Sequence, residues 1–148
     1  MSIERPPSDV FLFLRDKDLY PQEPGSPVLV LEKTTDGPPG LGTRYREVVQ
    51  MLPLVRGEIV SEITRYEPDR YLGERFWGAG MRGDLTYEFV PRGGGTELIQ
   101  RETLQPLGVL KLAAPLIERM LDRRLRQRLE GIKSVLEGGW HVSTNRPD

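Results

Sequence analysis

Hydrophobic and polar residues alternate along most of the chain, a pattern typical of strands that bury one face of a sheet. The clearest case lies at 85–90, where Leu85, Tyr87 and Phe89 occupy every second position. Glycine and proline clusters separate this segment from its neighbours and indicate turns, and Gly83 belongs to the predicted turn before it. We therefore predict six longer strands, preceded by a short one at 2–6. The longer strands lie at 28–33, 43–52, 58–67, 71–77, 85–90 and 96–104.

Two segments follow the helical period instead of the alternating one, and the first is short. Near the N-terminus, Val10, Phe11 and Phe13 form the apolar face of a helix. Ser8 precedes them, and its side chain is the predicted N-terminal cap.

The longer helical pattern covers 107–137, in the C-terminal part of the chain. Gly138 follows it, and glycine commonly ends a helix. Pro115 either kinks this helix or marks its first turn after a looser segment. The apolar positions of the helix are Leu110, Ala114, Ile117, Leu121, Leu125, Leu129, Ile132 and Leu136.

These elements predict an α+β fold in which an antiparallel sheet of six or seven strands wraps around the long C-terminal helix. The apolar face of such a sheet must be covered, and the final helix is the only predicted element large enough to cover it. A chain of 148 residues is long enough for one core of this kind. We therefore expect one ligand-binding domain at 1–139 and a flexible tail at 140–148.

Composition and charge exclude several functional classes. The formal net charge is -1, which gives no general reason to expect nucleic acid as a partner. There is no cysteine, and His141 is the single histidine, so a zinc site or a Ser-His-Asp triad is not expected. No apolar run is long enough to span a bilayer, and the N-terminus lacks a signal peptide. We expect a cytoplasmic protein without metal or cofactor and without stable membrane insertion, and its oligomeric state is left open.

Short motifs spread along the chain resemble, in their order and spacing, those of a known superfamily. They are Pro7-Ser8-Asp9-Val10-Phe11, Gly42-Thr43-Arg44-Tyr45, Tyr66-Glu67-Pro68, Gly94-Gly95-Thr96, Leu129-Glu130-Gly131-Ile132-Lys133 and Leu136-Glu137-Gly138. The chain resembles the START-related superfamily often called SRPBCC, nearest to its polyketide cyclase/dehydrase and lipid-transport branch. This resemblance covers 2–138 and implies a helix-grip fold with a small-molecule cavity between the sheet and the C-terminal helix.

The last strand carries polar residues among leucines on one face. Leu98 and Leu104 flank Gln100 and Glu102, and all four share that face by alternation. If the face points inward, the Glu102 carboxyl group must find a partner or its pKa must rise. Glu102 is therefore a candidate general acid or base, or a ligand anchor. If the strand is shifted by one residue, Glu102 is simply solvated.

Further candidates lie on the long helix and on the other strands. Arg128 falls within the apolar stripe of the helix, where it either pairs with Glu102 or an acidic ligand group, or extends along the helix flank to water. Phe76 and Trp77 point to opposite faces, so only one of them can face the helix. The complete predicted ligand-binding set is Tyr45, Glu47, Val49, Phe76, Tyr87, Phe89, Gln100, Glu102, Ile117, Leu121 and Arg128.

Three functions remain open at this point. The first is a carrier or sensor of a hydrophobic small molecule such as a lipid, an isoprenoid or an aromatic, polyketide-like compound. The second is a metal-independent cyclase or dehydratase in which Glu102, Tyr87 or Glu47 transfers protons. The third is a structural domain with a vestigial cavity. The sequence favours binding over catalysis because it shows no strong catalytic constellation.

Overall fold

The computed structural model describes residues 1–19, 22 and 26–139, and within these ranges it confirms the predicted α+β fold. Seven antiparallel strands form one sheet in the order β1-β7-β6-β5-β4-β3-β2. The predicted tail at 140–148 lies outside the described residues. The strands are β1 Ser2–Ile3, β2 Val28–Lys33, β3 Arg44–Leu52, β4 Val55–Glu67, β5 Tyr71–Gly78, β6 Met81–Arg92 and β7 Gly95–Pro106. The helices are α1 Pro7–Arg15, a 3-10 helix at Gly108–Ala113, and α2 Ala114–Glu137.

Strand β6 begins earlier than the alternation predicted, because Gly83 lies inside the strand and not in the preceding turn. A Cβ atom at Gly83 would lie 2.0 Å from the backbone oxygen of Thr103 and 2.5 Å from Cζ of Phe76. Only glycine therefore allows this close approach of β7 and the Phe76 ring, and here glycine marks a packing site instead of a turn.

Helix α1 begins at Pro7, and the prediction that Ser8 caps it was wrong. Pro6 occupies the capping position, and no side chain donates or accepts a capping hydrogen bond there. Pro7 suits the first helical position because its fixed φ is already helical and it has no N–H to satisfy. The apolar face is as predicted, and the Phe11 ring packs edge-on against Tyr66 and Phe89.

Pro115 lies in the first turn of α2, which is the second of the two predicted alternatives. The residues before it form the separate 3-10 helix. At 1.5 Å per residue the 24 residues of α2 extend about 36 Å. Only Ile132 and Leu136 of this helix are fully buried, so its C-terminal third is fixed to the core. The N-terminal part is half-buried or exposed.

The core lies between the two helices and one face of the sheet, called the inner face from here on. On this face the side chains of β3 to β7 alternate between buried apolar groups and an unusual number of polar ones. The fully buried apolar core residues are Ile3, Val10, Phe11, Tyr45, Ile63, Leu72, Tyr87, Leu98, Ile132 and Leu136. The polar residues among them mark the candidate site.

Candidate functional site

A lysine from the turn after α1 lies against the inner face of the sheet. The Lys17 ammonium group donates hydrogen bonds to Glu74 Oε2 at 2.7 Å and to Glu47 Oε1 at 2.9 Å. A third bond, of 3.1 Å, reaches the Ser61 hydroxyl. These partners come from three adjacent strands, β5, β3 and β4, so one side chain joins the α1–β2 connection to the middle of the sheet. The same ammonium group lies 4.7 Å from the centre of the Tyr45 ring.

The charges of this cluster are nearly removed from water. The exposed side-chain fraction is 13% for Lys17 and 6% for Glu74. Burial lowers the pKa of Lys17, but Glu74 and Glu47 outweigh that effect, so the pKa lies above its ordinary value. Burial raises the pKa of Glu47, but Lys17 and, more weakly, Arg128 outweigh it, and this pKa is lowered. Lys17 and Glu47 are therefore charged at neutral pH, and each favours the charged form of the other.

Tyr87 and Gln100 form the second polar group of the inner face. They lie directly opposite each other on β6 and β7. The Tyr87 side chain is 1% exposed, yet its hydroxyl group has no hydrogen-bond partner. Both amide atoms of Gln100 are also buried and without a partner. Buried polar groups are normally hydrogen-bonded, so three unpaired atoms on neighbouring residues need a physical explanation.

Glu102 and Arg128 lie beside this pair. Glu102 is the next inward-facing residue along β7, and its neighbour across the strands is Leu85. Burial raises the pKa of Glu102, and Arg128 and Arg124 reduce but do not cancel the increase. The Arg128 guanidinium lies 5.9 Å from the centre of the Tyr87 ring. The inner face therefore presents a hydroxyl group, an amide and a carboxyl group, and α2 adds a guanidinium group above them.

Two openings border the end of β7. A cleft of about 30 Å³ lies between the end of β7 and the first turns of α2, a volume that holds about one water molecule. Its lining residues are Leu104, Pro106, Ala114, Ile117, Glu118 and Leu121. An open depression of about 540 Å³ adjoins it over the ends of β5, β6 and β7, and Phe76, Gly83 and Leu104 are among its lining residues. Most of its lining residues, such as Arg75, Trp77 and Arg82, have exposed side chains on the outer face of the sheet, which points away from the helices.

The structure places several predicted site residues together and puts others in the packed core. Glu47, Tyr87, Gln100, Glu102 and Arg128 surround the polar part of the inner face. Ile117 and Leu121 line the small cleft. The remaining members of the predicted set, all on the strands, pack into or against the apolar core, and they are Tyr45, Val49, Phe76 and Phe89.

Three details of these core positions answer questions that the alternation left open. Phe76 packs against the core, whereas Trp77 is 37% exposed on the outer face. The Tyr45 hydroxyl donates a hydrogen bond of 2.7 Å to the carbonyl oxygen of Arg15, so this tyrosine is a satisfied core residue. Phe89 contacts Phe11 with ring centres 5.4 Å apart. Contact of these residues with a ligand stays a prediction.

Sequence reasoning missed Lys17, Ser61 and Glu74. Glu74 lies on the inner face beside Ile63 and Leu85, and an inward carboxylate was a detectable signal in β5. Lys17 gave no such signal, because it follows the end of α1 in a segment without hydrophobic periodicity. No group of three histidine, aspartate or glutamate side chains suited to a metal ion occurs within the described ranges.

Comparison with known proteins places this site in a family context. Residues 1–137 match the sequence profile of the family described as polyketide cyclase/dehydrase and lipid transport. No curated protein matches the chain. No helix in the part of the chain that the structure describes is long and apolar enough to cross a membrane.

Several solved structures share the fold over nearly the whole chain. The protein TTHA0849 from Thermus thermophilus is 23% identical, with a TM-score of 0.70 over 93% of this chain and 94% of that one. Ara h 8.0201 is 13% identical, also at 0.70, over 94% of this chain and 95% of that one. A putative uncharacterized protein from Rhizobium leguminosarum is 15% identical, at 0.71, over 94% and 91%. These similarities confirm the helix-grip fold, and at such identities they establish the fold alone.

Proposed function

The chain belongs to the polyketide cyclase/dehydrase and lipid-transport family, and from this premise we propose that it is a carrier or sensor of an amphipathic small molecule. The ligand lies between the inner face of the sheet and the N-terminal part of α2. It has an apolar body of the lipid, isoprenoid or aromatic polyketide type, and one polar end. The observation that carries this proposal is the unpaired, buried pair Tyr87 and Gln100.

The polar end of the ligand satisfies these two side chains. A phenol hydroxyl group donates one hydrogen bond, and a carboxamide both donates and accepts. A ligand hydroxyl group placed between them can accept from Tyr87 and donate to the Gln100 amide oxygen, and a ligand carbonyl group can accept from both side chains, so either group reduces the cost of leaving buried polar atoms without partners. Arg128, beside the Tyr87 ring, adds positive charge and favours a ligand end with partial or full negative charge.

The apolar body of the ligand lies against the N-terminal part of α2. Ile117 and Leu121 face Leu104 and Pro106 across the small cleft. The cleft is far smaller than the several hundred Å³ that a lipid-sized molecule needs. Binding therefore requires the first turns of α2 to move away from the sheet. This motion exposes little buried surface, since the fully buried residues of α2, Ile132 and Leu136, lie at its other end.

Ligand recovery and thermal shift test this proposal. Organic extraction of the purified protein followed by mass spectrometry should recover an amphipathic compound. A panel of fatty acids, isoprenoid alcohols and aromatic polyketides should contain at least one member that raises Tm. Binding at 100 times Kd corresponds to about 2.7 kcal/mol of added stability. If extraction yields no compound and no panel member shifts Tm, the proposal fails.

A matched pair of variants tests the location of the ligand. The double variant Tyr87→Phe, Gln100→Leu removes the polar groups and should weaken binding by about tenfold or more, the effect of one or two lost hydrogen bonds in a buried site. Tyr71→Phe is the control, because its hydroxyl donates to Glu88 instead of reaching the inner face. Equal weakening by both variants would contradict the proposed location.

The raised pKa of Glu102 favours a second candidate function, a metal-independent cyclase or dehydratase. A carboxyl group that keeps its proton closer to neutral pH is better suited to general acid catalysis, and Tyr87 lies near enough to assist. Turnover of poly-β-keto substrates by the wild type and by Glu102→Gln tests this candidate. An active wild type and a variant with unchanged turnover would exclude Glu102 as the acid.

A further inference from the structure

Apolar side chains are exposed at one end of the molecule, where the β3–β4 hairpin, the 3-10 helix and the start of α2 meet. Leu54 is fully exposed at 101%, Leu112 is 89% exposed and Val109 is 83% exposed. The end patch, as we name it, comprises Leu52, Leu54, Val55, Val109, Leu112 and Leu116. Exposed apolar side chains that cluster at one end of a molecule often mark a binding surface.

Backbone contacts show that the segments carrying the end patch are neighbours. The Leu107 N–H donates to the Gly80 carbonyl oxygen at 2.8 Å, which joins the 3-10 helix to the β5–β6 turn. In turn, a Cβ atom at Gly57 would lie 2.8 Å from the Ala79 Cβ atom, which places β4 against the same turn. The hairpin and the 3-10 helix therefore lie on either side of one turn, at one end of the sheet.

Positive charge accompanies the end patch. The segment 107–123, which adjoins the patch, contains three basic residues, Lys111, Arg119 and Arg123, and two acidic residues. On the surface of α2, Arg119 and Arg123 lie within a turn of the exposed Leu116 and Met120 side chains. Glu118 and Asp122 lie toward the other flank of the helix. Leucines flanked by arginines are typical of surfaces that bind the interface of an anionic bilayer.

We propose that the end patch, with Arg119 and Arg123, docks the protein on the surface of an anionic phospholipid membrane. This inference rests on the proposed function, because the docked end is also the end where the ligand cleft opens. Ile117 and Leu121 line the cleft, and Leu116 and Met120 on the same helix turns face outward. A lipophilic ligand then passes between the bilayer and the inner face without crossing water.

Charge argues for a membrane in preference to a second copy of the chain. A two-fold symmetric contact through the end patch would bring the basic segment of each copy near that of the other. An anionic bilayer instead supplies negative charge for the arginines and an apolar region that buries the leucines. The predicted binding is peripheral and depends on salt, because surface charges are screened within a Debye length.

Vesicle flotation tests this docking. Wild-type protein should float with vesicles of phosphatidylcholine and phosphatidylglycerol, and much less with vesicles of phosphatidylcholine alone or at high salt. Leu112→Asp combined with Leu116→Asp should weaken binding by about tenfold or more, since each leucine loses its burial in the interface. Leu41→Asp is the matched control, because Leu41 is 72% exposed in the β2–β3 connection, at the opposite end of the sheet. Arg119→Gln with Arg123→Gln should remove the preference for anionic vesicles.

Three results would overturn the docking proposal. The first is wild-type protein that does not float with anionic vesicles at low salt. The second is a double leucine variant that floats like the wild type. The third is a wild-type protein that does not bind vesicles but dimerises at higher concentration, together with a double leucine variant that stays monomeric. That result would assign the patch to a contact with a second copy.

Thermal shift with a water-soluble ligand separates this proposal from the proposed function. A ligand that stabilises a protein unable to float overturns only the docking. Vesicle binding by a protein that no ligand stabilises overturns the proposed ligand site. The end patch would then dock the protein on membranes for a reason unrelated to a ligand.

Discussion

Tyr87 and Gln100 lie opposite each other on adjacent strands, buried and without hydrogen-bond partners. Tyr45, on the same inner face, has its hydroxyl group bonded to the Arg15 carbonyl oxygen at 2.7 Å. The two tyrosines therefore differ in a way that affects the free energy of unfolding, because the Tyr45 hydroxyl group has a hydrogen-bond partner and the Tyr87 hydroxyl group has none. This difference supplies an internal control for the candidate site.

The first prediction compares the removal of the two hydroxyl groups. Tyr87→Phe should leave the free energy of unfolding unchanged or raise it by up to about 1 kcal/mol, because it removes a buried group that gains nothing in the unliganded fold. Tyr45→Phe should lower it by about 1 kcal/mol through the lost bond to Arg15. Urea unfolding measures both. A large loss in Tyr87→Phe would mean that its hydroxyl group is satisfied in solution.

The second prediction concerns the buried ion cluster. Lys17→Met leaves Glu47 and Glu74 buried without their cation and should cost about 3–5 kcal/mol in urea unfolding. Adding Glu47→Gln and Glu74→Gln to Lys17→Met should recover much of the loss, since no uncompensated charge is left. Lys33→Met is the control, because the bond from the Lys33 ammonium group to the Gly37 carbonyl oxygen lies at the exposed surface. If the triple variant were no more stable than Lys17→Met, charge would not be the cause.

The third prediction is a pH dependence with a defined sign. Burial raises the pKa of Glu102 above its ordinary value of 4.5, so the folded protein holds this proton more tightly than the unfolded chain does. The associated stability is present below that ordinary value and is lost as the pH rises through the raised pKa. Glu102→Gln should therefore become progressively more stable than the wild type as the pH rises above the ordinary value of 4.5.

Glu88, on the outer face, supplies the opposite case. Hydrogen bonds from Arg101 and Tyr71 lower the pKa of Glu88, so its contribution is present above the ordinary value and is lost as the pH falls through the lowered pKa. Glu88→Gln should then be less stable than the wild type at neutral pH, with the difference vanishing in acid. Unfolding free energies measured across this range for both variants check the two signs. The same sign for both would refute the assignment of Glu102 to a buried site.

The fourth prediction compares the two ends of α2. Ile132 is 1% exposed, and Ile132→Ala should cost about 2–5 kcal/mol in unfolding free energy. Ile117 is half-buried at the narrow cleft, and Ile117→Ala should cost about 1 kcal/mol. Hydrogen exchange should be faster for the amides at 118–126 than for those at 129–136, because local opening follows burial. Uniform protection along α2 would contradict an opening of its N-terminal part.

Local patterns in the sequence determined much of this protein. The alternation at 85–90 and 96–104 predicted which residues of β6 and of β7 share a face, because the side-chain period of a strand is fixed at two. The same rule put Gln100 and Glu102 on one face with Leu98 and Leu104, and the structure then decided that this face points inward. Proline and glycine residues predicted where β2 begins and ends and where the turns on either side of it lie, because the backbone preferences of these residues are local properties.

Tertiary structure alone decided the rest, because long-range contacts leave no local signal. Lys17 meets Glu47 and Glu74, 30 and 57 residues further along the chain, only after three strands have paired. Gly83 was interpreted as a turn residue until the Phe76 ring and the β7 backbone were found to occupy the space of its missing side chain. Whether the hydroxyl groups of Tyr45 and Tyr87 find hydrogen-bond partners depends on the elements that pack above the sheet. The alternation along the strands carries no information about those elements.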